Sequence, residues 1–112
     1  MDISLDNVRM HVSKTAEQGV VNQDTIFVFR QIGSQVSAEY SGGQIRKGYL
    51  IGLIVNNKLT FSYCQLQLDD KLDCGTSSCE LSRDKNNKII LIEHFEWASR
   101  PGEKGTNVFV EI

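Results

Sequence analysis

One acidic residue stands out because it interrupts an otherwise apolar face of a predicted strand. Residues 88–97 alternate as a β-strand, in which side chains two positions apart share a face. We expect the more apolar face to point into a core, and its middle residue is Glu93. A buried carboxylate needs a charge partner, hydrogen bonds or a raised pKa, so Glu93 is the residue most suggestive of chemistry. The members of this face are Ile89, Leu91, Glu93, Phe95 and Trp97.

Three interpretations of Glu93 are open. It could form the polar floor of an apolar cavity, which is the usual form of a small-molecule site. It could instead pair with Arg46 or a tyrosine and tie strands together, with no ligand. A cavity carboxylate of raised pKa could also act as a general acid or base, which makes an enzyme the second functional hypothesis. The predicted ligand-binding residues are Tyr40, Arg46, Tyr63, Gln65, Glu93 and Trp97.

The other reactive side chains form no recognisable site. His94 and Glu96 lie on the opposite face of the same strand, where we expect solvent. Cys74 and Cys79 are five residues apart and would point to opposite faces, unlike the clamp of a zinc site. No phosphate-binding or dinucleotide-binding loop is present. We therefore predict no metal and no cofactor.

The elements that would position Glu93 are short alternating strands separated by turn residues. Gly33, the Gly42-Gly43 pair and the Asn56-Asn57 pair supply hairpin turns, since glycine and asparagine tolerate positive φ. Residues 14–21 are the only segment in which we expect a helical turn. The predicted strands are residues 8–12, 25–31, 35–40, 44–55, 58–68, 71–81, 88–97 and 106–112.

Eight strands with short connections predict an all-β protein in which sequential neighbours pair as an antiparallel, up-and-down meander. Eight strands can close into a single barrel spanning residues 1–112, which removes exposed edges and leaves an interior for side chains or one small ligand. A two-sheet sandwich is the alternative fold. A barrel filled by its own side chains, working as an interaction or structural protein, is the third functional hypothesis.

The orientation of the fourth strand decides what the outer surface looks like. Glycines in strands often mark close approach inside small barrels, so we place Arg46, Gly48 and Gly52 inward, with Arg46 as a counter-charge. The opposite face would then expose an apolar stripe. Such a stripe indicates either a homodimer contact or a covering N-terminal segment. The stripe consists of Tyr49, Ile51, Leu53 and Val55.

Charge and the N-terminal sequence bear on partners and location. A formal net charge of −2 offers no electrostatic reason to bind nucleic acid or an anionic membrane. The N-terminus lacks the basic and apolar regions of a signal peptide. The three cysteines cannot all pair within one chain, so we expect reduced thiols and a cytoplasmic location.

The chain resembles, over nearly its whole length, a group of short bacterial β-barrel proteins. The residues that carry the resemblance include Thr25-Ile26-Phe27, the segment from Tyr40 to Gly48, Tyr63-x-Gln65 and Glu93-x-Phe95-x-Trp97. Phe95 departs from the family pattern Glu-x-Trp-x-Trp but keeps an aromatic ring. Some members carry the name N-acetylglutamate synthase, an activity not expected here because the chain lacks an acetyltransferase loop and an amino-acid kinase domain. The resemblance implies a small lipocalin- or avidin-like barrel.

Overall fold

The computed structural model describes residues 2–112, and its eight strands close into one antiparallel barrel in sequence order, with the last strand pairing back to the first. The predicted barrel is therefore confirmed, and the sandwich alternative is wrong. Among the described residues no helix is long and apolar enough to cross a membrane. The strands are β1 (Arg9–Lys14), β2 (Ile26–Ile32), β3 (Gln35–Gly42), β4 (Ile45–Val55), β5 (Lys58–Gln67), β6 (Leu72–Arg83), β7 (Ile89–Trp97) and β8 (Lys104–Glu111).

The strand faces follow the alternation of the sequence. In β5, every second residue from Leu59 to Gln67 is buried, and β7 shows the same pattern from Ile89 to Trp97. Inward aromatic and aliphatic side chains from all the strands meet in one core, which excludes water and supplies the main stabilising free energy. The predicted inward residues of β2, β3, β5 and β7 are all buried.

A β-bulge corrects the prediction for the fourth strand. Pairing between β4 and β5 shifts between Ile45 and Lys47, so one extra residue, Arg46, is inserted at this point. The shift turns Ile45 inward and leaves Arg46 exposed, whereas Gly48 further along the strand is buried. The alternation from Gly48 onward is as predicted, and the change of face is confined to residues 44–46. The prediction that Arg46 faces the interior is wrong.

The two ends of the barrel are closed differently. At the end formed by the β2–β3 and β4–β5 turns, the N-terminal segment buries Ile3 and Leu5 against the core. Its backbone is held there because Ile3 donates to the side chain of Asn57 and Leu5 to that of Gln31. The N-terminal segment therefore closes one barrel end and does not cover the stripe on β4.

At the opposite end, residues 15–25 connect β1 to β2 across the barrel mouth. The helical turn expected in residues 14–21 is reduced to one hydrogen-bonded turn, in which Gly19 N donates to Ala16 O. Tertiary hydrogen bonds replace helical ones, because Ala16 N donates to the Asn107 side chain and the Thr15 hydroxyl to Val21 O. We call residues 15–25 the cover segment.

Candidate functional site

A small cavity lies inside the barrel beneath the cover segment. Its volume is about 20 Å³, which is room for roughly one water molecule. Aromatic and aliphatic side chains make up most of its wall, and the polar groups come from four strands. The lining residues are Gly19, Val20, Val21, Phe27, Tyr40, Leu50, Phe61, Tyr63, Gln65, Glu93, Phe95, Trp97 and Asn107.

Glu93 is buried at this cavity with both carboxyl oxygens in hydrogen bonds. Ser77 Oγ donates to Oε2 at 2.6 Å, and Asn107 Nδ2 donates to Oε1 at 3.0 Å. Ser77 lies on β6 and Asn107 on β8, the two strands that flank β7. Burial raises the pKa of Glu93, and the two hydrogen bonds oppose only part of that rise. Both partners are neutral, so the carboxyl has no direct ion pair.

The second polar group of the cavity is built on β3 and β5. The Tyr40 hydroxyl donates to Gln65 Oε1 at 2.9 Å. Gln65 Nε2 and the Tyr63 hydroxyl are buried, and neither has a hydrogen-bond partner among residues 2–112. Burial raises the pKa of both tyrosines, so both hydroxyls keep their protons at neutral pH. Two buried polar groups without a partner at one cavity are unusual, because each carries an uncompensated desolvation cost.

Two glycines allow the tyrosine rings to occupy these positions. A Cβ at position 48 would overlap the ring of Tyr40, and a Cβ at position 75 would lie 2.5 Å from the Tyr63 hydroxyl oxygen. Gly48 is paired with Tyr40 across β3 and β4, and Gly75 with Tyr63 across β5 and β6. Each ring therefore lies over the strand next to its own, on a residue that has no side chain.

Trp97 joins the cavity wall to the cover segment. Its indole Nε1 donates to Gln18 O at 3.1 Å, and its ring packs edge-on against Tyr63 and Phe95. Asn107 makes a second connection, because its Oδ1 accepts from Ala16 N at 2.7 Å while its amide nitrogen binds Glu93. The cover segment is thus tied to two residues of the cavity wall.

A charged pair supports the cavity from the barrel rim. Arg100, in the β7–β8 loop, forms an ion pair with the buried Asp73 and stacks over the Trp97 ring at 4.4 Å from its centroid. The Arg100 hydrogen bond lowers the pKa of Asp73, and Gln67 and Ser99 also donate to that carboxylate. The cation near the cavity is therefore Arg100, where the sequence predicted Arg46.

The structure brings five of the six predicted site residues to one cavity and leaves one outside. Arg46 is exposed and lies with Glu39 on the outer surface, so it cannot be the counter-charge of Glu93. The five that line the cavity are Tyr40, Tyr63, Gln65, Glu93 and Trp97.

Sequence reasoning missed the direct partners of Glu93. Ser77 shares the inward face of β6 with Asp73, and its alternation alone could have placed it inside the barrel. Asn107 is the second residue of the predicted segment 106–112, and no local pattern marks it as a partner of Glu93. Long-range strand register decides both contacts.

The exposed candidates lie on the outer surface, as predicted. His94 is exposed and lies 3.0 Å from the Glu80 carboxylate. In the part of the chain that the structure describes, no group of three or more His, Cys, Asp or Glu side chains could hold a metal ion. The apolar stripe on β4, from Tyr49 to Val55, is 48–69% exposed.

Comparison with known proteins places this barrel in a family. The family model described as "Avidin-like protein" matches residues 3–112, which is nearly the whole chain. No curated protein and no solved structure gave a significant match. The match agrees with the closed eight-stranded antiparallel barrel, and the chain belongs to the avidin-like protein family.

Proposed function

We propose that this protein binds a small, partly apolar molecule inside the barrel, at the cavity beneath the cover segment. The observation that carries the proposal is the pair of buried groups without a protein partner, Gln65 Nε2 and the Tyr63 hydroxyl. A ligand that hydrogen-bonds to them would remove their desolvation cost, while the surrounding aromatic rings would bury its apolar part.

Binding of anything much larger than water requires the cover segment to move. The cavity volume of about 20 Å³ is far below that of a typical ligand site, which is about 300–1,000 Å³. Val20 and Val21 fill the mouth from the cover segment. Displacing them needs only the loss of local contacts, because the eight-stranded sheet is closed without them. The cover segment therefore acts as the gate of the site.

Binding is favoured over acid–base catalysis by the surroundings of Glu93. Both carboxyl oxygens already accept hydrogen bonds from Ser77 and Asn107. A general acid or base must instead reach the proton of a bound substrate within hydrogen-bond distance. The groups that face the cavity without a partner are an amide and a phenol, which suit recognition.

A homodimer through the β4 stripe is the proposed assembly. The stripe is flanked by short polar side chains on β3 and β5, including Ser37 and Ser62 opposite Ile51. Two copies of this face would meet without bringing like charges together at the centre, and the contact would bury the exposed apolar area.

A cytoplasmic location, with the three cysteines reduced, is a separate proposal that rests on the sequence.

Native mass spectrometry tests the binding function. Protein purified without added ligands, and protein refolded and incubated with a small-molecule extract of its host cells, are each compared with the denatured mass. We expect extra mass on the native wild type and on a Gln44→Leu control, where the glutamine is exposed, and a clear loss of it in Gln65→Leu. An unliganded mass for the wild type in both preparations would contradict the proposal and favour a filled barrel.

A further inference from the structure

We infer that Cys64 and Cys74 are a site of reversible oxidation on the outer surface of the barrel, where a low-molecular-weight disulfide converts the two thiols into a disulfide that links β5 to β6. In the resting protein both cysteines are free thiols. The thiol pair lies on the outside of the sheet and is independent of the proposed binding function.

The register of the sheet places the two cysteines directly opposite each other. Their Cα atoms are partners in the antiparallel ladder between β5 and β6. Further along this ladder Gln67 N donates to Lys71 O at 2.9 Å, which makes that opposed pair a hydrogen-bonded one. Hydrogen-bonded and non-hydrogen-bonded pairs alternate along an antiparallel ladder, and the cysteine pair lies an odd number of steps from Gln67. Cys64 and Cys74 therefore form a non-hydrogen-bonded pair, the kind in which side chains approach most closely.

A pair of this kind meets the geometry of a disulfide. Its Cα atoms lie about 4.5 Å apart, within the range of about 4.4–6.8 Å that disulfides span. Its Cβ atoms lie about 4.5–5.5 Å apart, so a contraction of up to about 1 Å brings them to the separation found in a disulfide. Opposed residues project on the same face of the sheet, and here Cys64 is exposed and Cys74 is half-buried. The bond therefore needs only a small approach of two strands that are already paired.

The backbone of Cys74 is bonded on the side away from β5. Cys74 N donates to Ser99 Oγ at 3.1 Å, and Cys74 O accepts from Ala98 N at 2.8 Å. Both backbone groups thus point away from Cys64, as they do in a non-hydrogen-bonded pair. Closing the sulfur–sulfur bond leaves the backbone hydrogen bonds between β5 and β6 in place.

The third thiol is separated from this pair. Cys79 faces the barrel interior and is 2% exposed, and its partners on the neighbouring strands are Leu59 and Glu93. Burial raises the pKa of the Cys79 thiol, so it stays protonated and unreactive at neutral pH. The fold therefore selects Cys64 and Cys74 out of the three possible pairings.

Oxidation proceeds by two thiol–disulfide exchanges. The exposed Cys64 thiolate attacks one sulfur of the small disulfide, which forms a mixed disulfide and releases one small thiolate. The Cys74 thiolate then attacks Cys64 Sγ, which forms the bond between the two cysteines and releases the second small thiolate. The two released thiolates take up the two protons lost by the cysteines, so the protein loses two electrons and two protons that the small disulfide gains. An excess of small thiol reverses both steps, which suits a redox-sensing pair in a cytoplasm.

Cys64 also lies beside the β4 stripe, since its partner on β4 is Tyr49. A dimer formed through the stripe would cover this neighbourhood. The reaction is therefore followed both in the wild type and in Ile51→Lys, which carries a charge at the centre of the stripe.

Disulfide mapping on the folded protein tests the pair. Wild type, Ile51→Lys and Cys79→Ala are incubated with oxidised glutathione, blocked with iodoacetamide and digested with trypsin without reduction. Trypsin cleaves after Lys71, so Cys64 and Cys74 fall on separate peptides, residues 59–71 and 72–83. We expect these two peptides to be linked in each protein and to separate after dithiothreitol, while the undigested protein runs as a single chain on a non-reducing gel.

Two substitutions identify the partners of the bond. Cys64→Ser should lose the link. Cys74→Ser should lose the link and accumulate glutathione on Cys64, because no second thiol remains to displace it. Glutathione on Cys64 without the link in both wild type and Ile51→Lys would overturn the inference, as would no reaction in either. A link between different chains, or a link to Cys79 in folded Cys74→Ser, would overturn it as well.

Discussion

Glu93 shows how burial can dominate the protonation behaviour of one residue. Its carboxyl is hydrogen-bonded only to neutral groups, and burial raises its pKa above the ordinary value of 4.5. Folded protein therefore holds this proton over a pH range in which the unfolded chain has released it. Stability contributed by the protonated carboxyl is present below pH 4.5 and is lost as the pH rises towards the folded-state pKa.

Glu93→Gln is accordingly expected to be stabilising at neutral and alkaline pH. The amide keeps the shape and can bind both Ser77 and Asn107, but it never ionises. We expect its free energy of unfolding to exceed that of the wild type by about 1–3 kcal/mol at alkaline pH and to match it in acid. Denaturant unfolding across pH measures the gap. Glu96→Gln, an exposed neighbour, is the control, and a marked loss of stability in Glu93→Gln would contradict the prediction.

Tyr40 and Tyr63 differ in what their hydroxyls do in the unliganded protein. Tyr40→Phe leaves Gln65 Oε1 without its donor and should destabilise by about 1 kcal/mol. Tyr63→Phe removes a hydroxyl that has no protein partner among the described residues, so its stability should be within about 0.5 kcal/mol of the wild type or higher. Chemical denaturation of the two matched variants gives the comparison, and the opposite ranking would show that Tyr63 is bonded in the folded protein.

At the scale of elements, the cover segment and the strands differ in what holds them. Strands β4 to β7 each pair with a neighbouring strand on both sides. The cover segment is tied to the cavity wall chiefly by Ala16 N to Asn107 and by the Trp97 indole to Gln18 O. Because only a few contacts of this kind hold the cover segment, it can open locally while the barrel stays folded.

Hydrogen exchange at the Trp97 indole reports that opening. We expect the indole N–H to exchange at least about tenfold faster than the Leu91 amide in the centre of β7, because only local opening exposes it. The rate should fall when a small molecule binds in the cavity, since the cover segment then closes over a filled site. Equal protection of the indole and the Leu91 amide would mean that the segment opens only on global unfolding, which would contradict its role as a gate.

At the scale of the whole molecule, the apolar side chains of the β4 stripe are exposed in the single chain. Ile51→Lys places a charge at its centre and should convert a dimer into single chains of 12.6 kDa. Ile112→Lys alters an equally apolar exposed residue outside the stripe and should leave the proposed dimer intact. Sedimentation analysis of the wild type and both variants gives the masses, and a monomeric wild type at micromolar concentration would rule the dimer out.

The barrel could be predicted from the sequence because its signals are local. Alternation with a period of two decides which side chains of β5 and β7 face inward, and Gly33 and Asn57 adopt the positive φ expected at their turns. Five cavity residues follow from the same rule, since each lies on the inward face of its own strand. The family match over residues 3–112 agrees with that architecture.

The contacts of the site depend on positions that local patterns do not encode. A one-residue bulge reverses the face of Arg46, because the period of two makes any insertion flip a side chain. Ser77 and Asn107 reach Glu93 only through the register of β6 and β8 against β7. Arg100 pairs with Asp73 across 27 residues of sequence, and the cover segment meets Trp97 across 79. Such contacts form only when the sheet closes. The sequence by itself therefore predicts the eight-stranded barrel, whereas closure of the barrel decides which side chains meet at the cavity.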